Sequence, residues 1–330
     1  MKAILNRLFE HDKLSREEAK NILLEISKGT FNHIQVAAFT AVYNMRPITL
    51  SELQGFRDAL LELCVPLDLG GIESMDIVGT GGDGKNTFNI STTSAMVIAG
   101  AGYTVTKHGS YGVSSAVGSS NVLMELGYEF TNDQDTLRRQ TEEANLCFLH
   151  APLFHPAMKE VVPVRKQLGM KTFFNMLGPL VNPLQPKYQL FGTFSMELSR
   201  MYQYIMQHTG RQFAIVYALD GYDEVSLTGD FKLRTNDSER IYSPQDLGMT
   251  KIEPDELYGG ETEGDAAKIL LSVLKNEASP AQKSAVLSNA GLGIKVIHPE
   301  RSIEDCIAEA RESIESDRAY QKLNTLVNLK

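Results

Sequence analysis

Asp76-Ile-Val-Gly-Thr-Gly-Gly-Asp-Gly-Lys-Asn-Thr-Phe-Asn-Ile-Ser-Thr92 is the stretch that decides how this chain folds. The apolar run Met75 to Val78 reads as a buried strand. Four glycines follow within six positions: Gly79, Gly81, Gly82 and Gly84. Glycine reaches positive φ freely and lets backbone N–H groups approach a ligand closely. Asn89 then precedes the run Ile90 to Ala99, which predicts an N-cap and a helix with a small, apolar face. Strand, glycine loop and helix N-terminus in succession make an anion site, because loop amides and helix dipole both favour negative charge.

Two familiar motifs overlap this loop and fit it badly. Gly79-x-Gly81-x-x-Gly84 matches the dinucleotide fingerprint. That motif needs an acid for the ribose about 20 residues on. No Asp or Glu stands between Asp83 and Glu125. Gly79-x-x-x-x-Gly84-Lys85 resembles a P-loop, but Asn86 stands where Ser or Thr must reach Mg²⁺. Two readings remain: a Gly/Ser-rich surface loop, or a polyanion site. The stretch Lys107 to Ser120 also offers cations, hydroxyls and amides with no competing carboxylate. One polyanionic ligand explains both stretches together.

Outward from this centre, the pattern is βαβ. Helix 90–101 and a second strand at 103–107 follow the first strand, then helices at 121–126 and 135–144 and a strand at 146–149. Such alternation predicts an α/β body with a mainly parallel sheet flanked by helices, and ligands beyond the carboxyl ends of its strands. Residues 159–168 read as helix around Pro163, and 171–183 as a long packed connection rich in proline. Strands are expected at 188–192 and 213–217 with a helix at 198–208 between them. Short strands and turns fill 228–260, and helices 266–274, 280–290, 303–314 and 319–327 close the chain.

Residues 1–70 read as a small all-helical domain, leaving 71–330 to the α/β domain. Ser15-Arg-Glu-Glu18 and Thr49-Leu-Ser-Glu52 are capping boxes, and Gly29 is a helix stop. The composition is that of an ordinary soluble protein: 330 residues, 42% hydrophobic and 22% charged. A net charge of −9 argues against a broad nucleic-acid surface, so a phosphate ligand must meet a local patch. Cys64, Cys147 and Cys306 lie far apart without metal-ligand spacing, which suits a reducing cytoplasm. The amphipathic N-terminus is not expected to be a signal peptide, and no apolar run is long enough for a bilayer.

Asp223-Glu224 beyond the strand at 213–217, with Asp220 nearby, is either a solvated acidic turn or a site for Mg²⁺, which prefers hard oxygen ligands and bridges to phosphates. His108, His150 and His155 are candidate acid–base groups or packed histidines.

Eight short motifs now fall into register. Gly79-Thr-Gly-Gly-Asp83, Asn89-Ile-Ser-Thr92, Lys107-His-Gly109, Gly112-Val-Ser-Ser115, His155-Pro-Ala157, Pro163-Val-Arg165, Asn175-Met-Leu-Gly-Pro179 and Asp223-Glu224 follow the order and spacing of the anthranilate phosphoribosyltransferase family. The resemblance spans nearly the whole chain. It implies the type III nucleoside phosphorylase fold, with part of 165–188 returning to the helical domain, and a homodimer formed through that domain. It implies transfer of phosphoribose from 5-phosphoribosyl diphosphate to anthranilate in tryptophan biosynthesis. By the same resemblance Gly79, Gly82, Asp83, Thr87, Asn89, Ile90, Ser91, Thr92, Lys107, Ser115 and Ser119 hold the donor. Gly79, His108, Ser110 and Arg165 meet anthranilate. Ser91, Asp223 and Glu224 serve Mg²⁺, with two ions per subunit, and no general base is implied.

This chain departs from the pattern in one place. The family usually reads Lys-His-Gly-Asn-Arg-Gly, and Ser110 and Tyr111 stand here for Asn and Arg. That Asn helps bind the acceptor, so the departure concerns the anthranilate end. Two alternatives share the fold: a pyrimidine nucleoside phosphorylase, which would not need the Asp-Glu pair, and a non-catalytic nucleic-acid-binding relative, which should carry a basic helix.

Overall fold

The computed structural model of the chain describes residues 1–112 and 117–329. Its first helices are α1 (Lys2–Phe9), α2 (Arg16–Ser27), α3 (His33–Met45) and α4 (Leu50–Glu62). Then come β1 (Met75–Gly79), α5 (Ile90–Gly100), β2 (Val105–Gly109), α6 (Ser119–Glu125), α7 (Gln134–Ala144) and β3 (Leu146–His150). Short helices α8 (Ala151–Phe154) and α9 (Val162–Leu168) precede β4 (Tyr188–Gly192), α10 (Met196–Met206), β5 (Gln212–Ala218), β6 (Phe231–Thr235) and β7 (Glu239–Tyr242). Helices α11 (Glu263–Leu274), α12 (Pro280–Ile297), α13 (Ile303–Glu315) and α14 (Arg318–Asn328) complete it. None of the described helices is long and apolar enough to cross a membrane.

The chain divides into two compact units, Met1–Leu67 with Ala151–Pro183, and Asp68–His150 with the chain from Leu184 on. In the helical unit, both expected capping boxes form. Glu52 does more than cap. Its carboxylate is fully buried, accepts from Arg46 Nη1 and Nη2 at 3.0 and 2.6 Å, and takes the N–H groups of Leu14 and Thr49 at 3.0 and 2.9 Å. Phe173, on the returning segment, stacks on Phe56 at 4.6 Å and meets Phe39 edge-on at 6.2 Å. The connection 171–183 is therefore packed into the helical unit, as 3₁₀ turns at Phe173–Met176 and Gly178–Val181.

In the α/β unit a seven-stranded sheet has the order β3-β2-β1-β4-β5-β6-β7. The pairs from β3 to β5 are parallel, and β6 and β7 are antiparallel. From β1 the chain first goes to β2 on one side, and later lays β4 on the other. Strand order thus reverses between β1 and β4, and open α/β sheets bind ligands in such a crevice. The β1/β4 register ends on Gly79 opposite Gly192.

Among the spans that differ from expectation, two have plain physical reasons. β2 begins at Val105, because Ala101 to Thr104 is used in turning out of α5, with Tyr103 N–H donating to the Ile98 carbonyl. Lys107, His108 and Gly109 therefore end a strand rather than open a loop. α12 runs past Ala290 to Ile297, although Gly291 and Gly293 look like a stop. Both glycines serve close packing: a Cβ on Gly291 would lie 3.1 Å from the Ile307 backbone, and one on Gly293 3.3 Å from Met75 Sδ.

Candidate active site

The crevice between β1 and β4 is lined by Gly79, Gly192, Ser91, Asp223, Glu224 and Asn289. Asp223 fills its floor. A Cβ on Gly79 would collide with the Asp223 carboxylate, and one on Gly192 with the Asp223 main chain. Neither glycine has positive φ. Both are needed for space, since any side chain would displace the acid. The glycine loop then closes over it: Gly81 N–H donates to Asp223 Oδ2 at 2.6 Å. Gly81, Gly82 and Gly84 all have φ between 63° and 77°, the left-handed region that only glycine enters cheaply.

Asp83, on the same loop, joins Asp223 and Glu224. Each offers an oxygen, and the three oxygens lie within 4.8 Å of one another. Asp83 Oδ2 and Glu224 Oε2 are buried without a hydrogen-bond partner among the described residues. Burial, together with Asp83, pushes the Asp223 carboxyl up to about 6. Burial also raises Glu224 well above its ordinary value, with Asp223 and Asp83 adding to the rise. Unpartnered hard oxygens gathered this way fit a dication such as Mg²⁺. Sequence reasoning gave Asp83 to the donor alone; the loop's curl back onto residues 223 and 224 could not be read from residue types.

Next to this acidic group stands a cationic one. Lys107 on β2 is almost completely buried, and its Nζ donates to the Ile77 carbonyl at 2.5 Å and to Ser91 Oγ at 3.5 Å. Burial pushes its pKa down, while Asp76, Glu224 and Asp223 pull the other way. Ser91 opens α5. Asn89 occupies the N-cap position as expected, but makes no capping hydrogen bond. Its Nδ2 donates instead to the Val117 carbonyl at 3.2 Å. The first-turn amides of α5 are thus left uncapped by it, as an anion-binding terminus requires.

Thr87 is held by an antiparallel bridge to Tyr258, and Phe88 N–H donates to the Leu257 carbonyl at 2.9 Å. Gly82, Ile90 and Thr92 are buried, the last two within α5. Ser119 Oγ donates to the Ser110 carbonyl at 3.3 Å, and Ser120 N–H donates to the same oxygen at 3.1 Å. Ser110 is half-buried. Tyr111 turns its ring edge-on to His150, 5.0 Å between centres. Ser115 lies outside the described residues.

Among the histidines, His150 stacks on Phe130 at 4.2 Å with Nδ1 2.9 Å from Ser120 Oγ, and burial pushes it down to about 4. His155 pairs its Nε2 with the Val181 carbonyl at 2.9 Å, and burial likewise pushes it down to about 4. Both are packed histidines that burial keeps neutral. His108 is buried on β2, with its N–H donating to Asp76 Oδ1 at 3.3 Å.

Arg165 belongs to the helical unit, on α9. Its Nη2 donates to Asn175 Oδ1 at 3.3 Å, and its guanidinium lies 5.8 Å from the Phe174 ring centre. Nε is buried without a partner among the described residues, and burial lowers the pKa. A fork left partly unpaired in this way suits a planar carboxylate.

A family model described as "Glycosyl transferase family, a/b domain" matches residues 72–320, and one described as "Glycosyl transferase family, helical bundle domain" matches residues 2–64. The chain is similar to the anthranilate phosphoribosyltransferase of Cytophaga hutchinsonii, 58% identical over 321 residues that cover 97% of this chain and 98% of the relative. The anthranilate phosphoribosyltransferase of Bacteroides thetaiotaomicron is 52% identical over 329 residues, covering 100% of this chain and 99% of its own. Among solved structures, the anthranilate phosphoribosyltransferase of Thermus thermophilus superposes with a TM-score of 0.90 at 31% identity, covering 98% of each chain. That of Saccharomyces cerevisiae, in complex with PRPP and Mg, gives a TM-score of 0.90 at 27% identity, covering 98% of this chain and 96% of that one.

Proposed function

Since the chain belongs to the anthranilate phosphoribosyltransferase family, we propose that it transfers phosphoribose from 5-phosphoribosyl diphosphate to the amino nitrogen of anthranilate in tryptophan biosynthesis. The C1–oxygen bond to pyrophosphate breaks, a C1–nitrogen bond forms, and the amine loses a proton. The single observation that carries this reading is the meeting of three carboxylates with a glycine loop and an uncapped helix N-terminus at the sheet's switch point. A pyrimidine nucleoside phosphorylase is disfavoured by the two full-length relatives described above, which bear the anthranilate enzyme's name. A nucleic-acid-binding relative is disfavoured on the same ground and by the net charge of −9.

Anthranilate's aromatic amine is a weak nucleophile, so the barrier falls chiefly through leaving-group departure and positioning. In this reading the amides of the glycine loop and of α5, with Ser91, Thr92 and Lys107, bind and orient the diphosphate and the ribose 5-phosphate. Gly82, Thr87, Asn89, Ile90, Ser115 and Ser119 complete the donor's surroundings. Asp83, Asp223 and Glu224, with Ser91, would hold Mg²⁺, two ions per subunit, which when bound neutralises charge on the departing pyrophosphate. Arg165 would take the anthranilate carboxylate, with Gly79, His108 and Ser110 against the ring. No side chain is assigned as general base.

We further propose a homodimer through the helical unit, supported by Ile34 and Met45, apolar side chains that are 82% and 89% exposed there. Three unbridged cysteines support a cytoplasmic setting. Loss of anthranilate fluorescence on adding donor and Mg²⁺, abolished by chelator, tests the activity. No fluorescence loss at any Mg²⁺ concentration would overturn it.

A further inference from the structure

The loop carrying Asp223 and Glu224 is fastened from behind. Asn289 sits midway along α12, in the otherwise apolar and small run Ala285-Val-Leu-Ser-Asn-Ala290, and is 3% exposed. Its amide is spent wholly on backbone. Nδ2 donates to the Val225 carbonyl and to the Ala285 carbonyl, both at 2.9 Å. Oδ1 accepts from Val225 N–H at 3.1 Å. Two of these bonds close on a single residue, the one directly after Glu224. They fix both its position and the tilt of its peptide groups.

This fastening has something to oppose. Three carboxylate oxygens within 4.8 Å repel one another, and the repulsion pushes the loop outward. In front, Gly81 N–H holds Asp223 Oδ2, but Glu224 Oε2 has no partner among the described residues. The helix behind is a firm reference, because Gly291 and Gly293 seat it closely on α13, α5 and β1. An apolar side chain would fill the same volume. A primary amide sets a donor and an acceptor on separate atoms, so both the C=O and the N–H of one backbone residue can be met at once.

We propose that Asn289 is a positioning residue: through its paired hydrogen bonds to Val225 it holds the Asp223 and Glu224 carboxylates in the arrangement that receives a divalent cation. The inference rests on the metal-dependent transfer proposed above, and its test separates the two. Outer partners of metal ligands are worth about 10- to 100-fold in metal affinity. Mn²⁺ shares the oxygen preference of Mg²⁺ and is visible by electron paramagnetic resonance, so it serves as the probe, titrated in the presence of inorganic pyrophosphate.

Asn289→Ala and Asn289→Ser are compared with the wild type after thermal melts establish a temperature at which each is folded. Both variants should bind Mn²⁺ about 10- to 100-fold more weakly. The Mg²⁺ midpoint of transfer should move by the same factor, excess Mg²⁺ should restore kcat, and the KM for anthranilate should not change. A merely structural role would lower the melting temperature and leave the Mn²⁺ titration of the folded protein where it was. That result in either variant overturns the proposal. Should the alanine variant fail to fold, the serine variant decides. A wild type that transfers no phosphoribose, while Mn²⁺ binding still weakens in the variants, would sink the proposed activity and support the role of Asn289.

Discussion

Gly192→Ala is the sharpest test of how the site is built, because one methyl group enters a place already occupied. Its Cβ would fall 2.7 Å from the Asp223 carbonyl carbon and closer still to the oxygen. Ordinary contact begins at 3.4 Å, and the oxygen is the nearer atom, so the Asp223 carbonyl must retreat or turn away by about 2 Å. Overpacking of this kind costs about 1–3 kcal/mol of stability. A misplacement of about 1 Å at a reacting site costs about 10²-fold in rate. Gly192→Ala should therefore fold with a lowered melting temperature, lose about two orders of magnitude in kcat/KM for the donor, and need more Mg²⁺. Gly79→Ala meets the carboxylate end of Asp223 rather than its backbone, 3.0 Å from Cγ. That end can rotate, so the stability loss should be smaller while the Mg²⁺ requirement still rises. Initial rates by anthranilate fluorescence across a Mg²⁺ series, beside a calorimetric melt, give both numbers. A Gly192→Ala protein with wild-type rates and an unshifted Mg²⁺ midpoint would refute the reasoning.

Replacing Asp223 with Asn and Glu224 with Gln should weaken the Mg²⁺ dependence and slow turnover; unchanged titration curves would remove both from the metal. Arg165→Ala deletes one charge-assisted partner, about 1.5–3 kcal/mol, so the KM for anthranilate should rise roughly ten- to a hundred-fold while that for the donor holds. A selective donor defect would exclude Arg165 from the acceptor. Ser110→Asn restores the residue usual in the family on a backbone pinned through its carbonyl by Ser119 and Ser120, and should lower the anthranilate KM by the worth of about one neutral hydrogen bond, 0.5–1.5 kcal/mol; a changed donor KM with anthranilate spared would contradict this. Burial works against ionised Glu52, but Arg46 and the N–H groups of Leu14 and Thr49 outweigh it and hold its pKa below the ordinary value. Its stabilisation is therefore full above the ordinary carboxylate range and fades as pH falls through the depressed value. Urea unfolding of wild type and Glu52→Gln should differ by about 3–5 kcal/mol at neutral pH and converge in acid, and a gap that stays constant with pH would count against the ion pair.

The fold was legible where periodicity and loop chemistry agreed. The run around Met75 to Val78, the glycine loop and the apolar helix after Asn89 led to a parallel α/β body, and β1 and α5 stand where that reading put them. Asp223-Glu224 could be singled out as an acidic pair beyond a strand. What it packs into could not, because strand order is not written in local sequence. Gly192 looks like any strand-ending glycine until β4 is laid beside β1. Asn289 looks like a polar interruption in an apolar helix; being the one amide in a buried run was its only signal. α12 continues past Ala290 because the missing side chains of Gly291 and Gly293 let the helix pack closely.

The site sets two polarities side by side, and this limits what it can bind. Lys107 and the uncapped amides of α5 attract an anion. Asp83, Asp223 and Glu224 repel one at short range and attract a hard cation. An anion alone would gain from the first group and lose to the second. A cation alone would offset the carboxylates but leave Lys107 and the α5 amides without an anion. A diphosphate carrying a divalent ion would satisfy both at once. Gly79 and Gly192 give up side chains to seat Asp223, so the acidic half is built into the sheet rather than added on a loose turn. On the function proposed above, the acids that the sequence left open between a solvated turn and a metal site would restrict this cleft to a cation-bound polyphosphate.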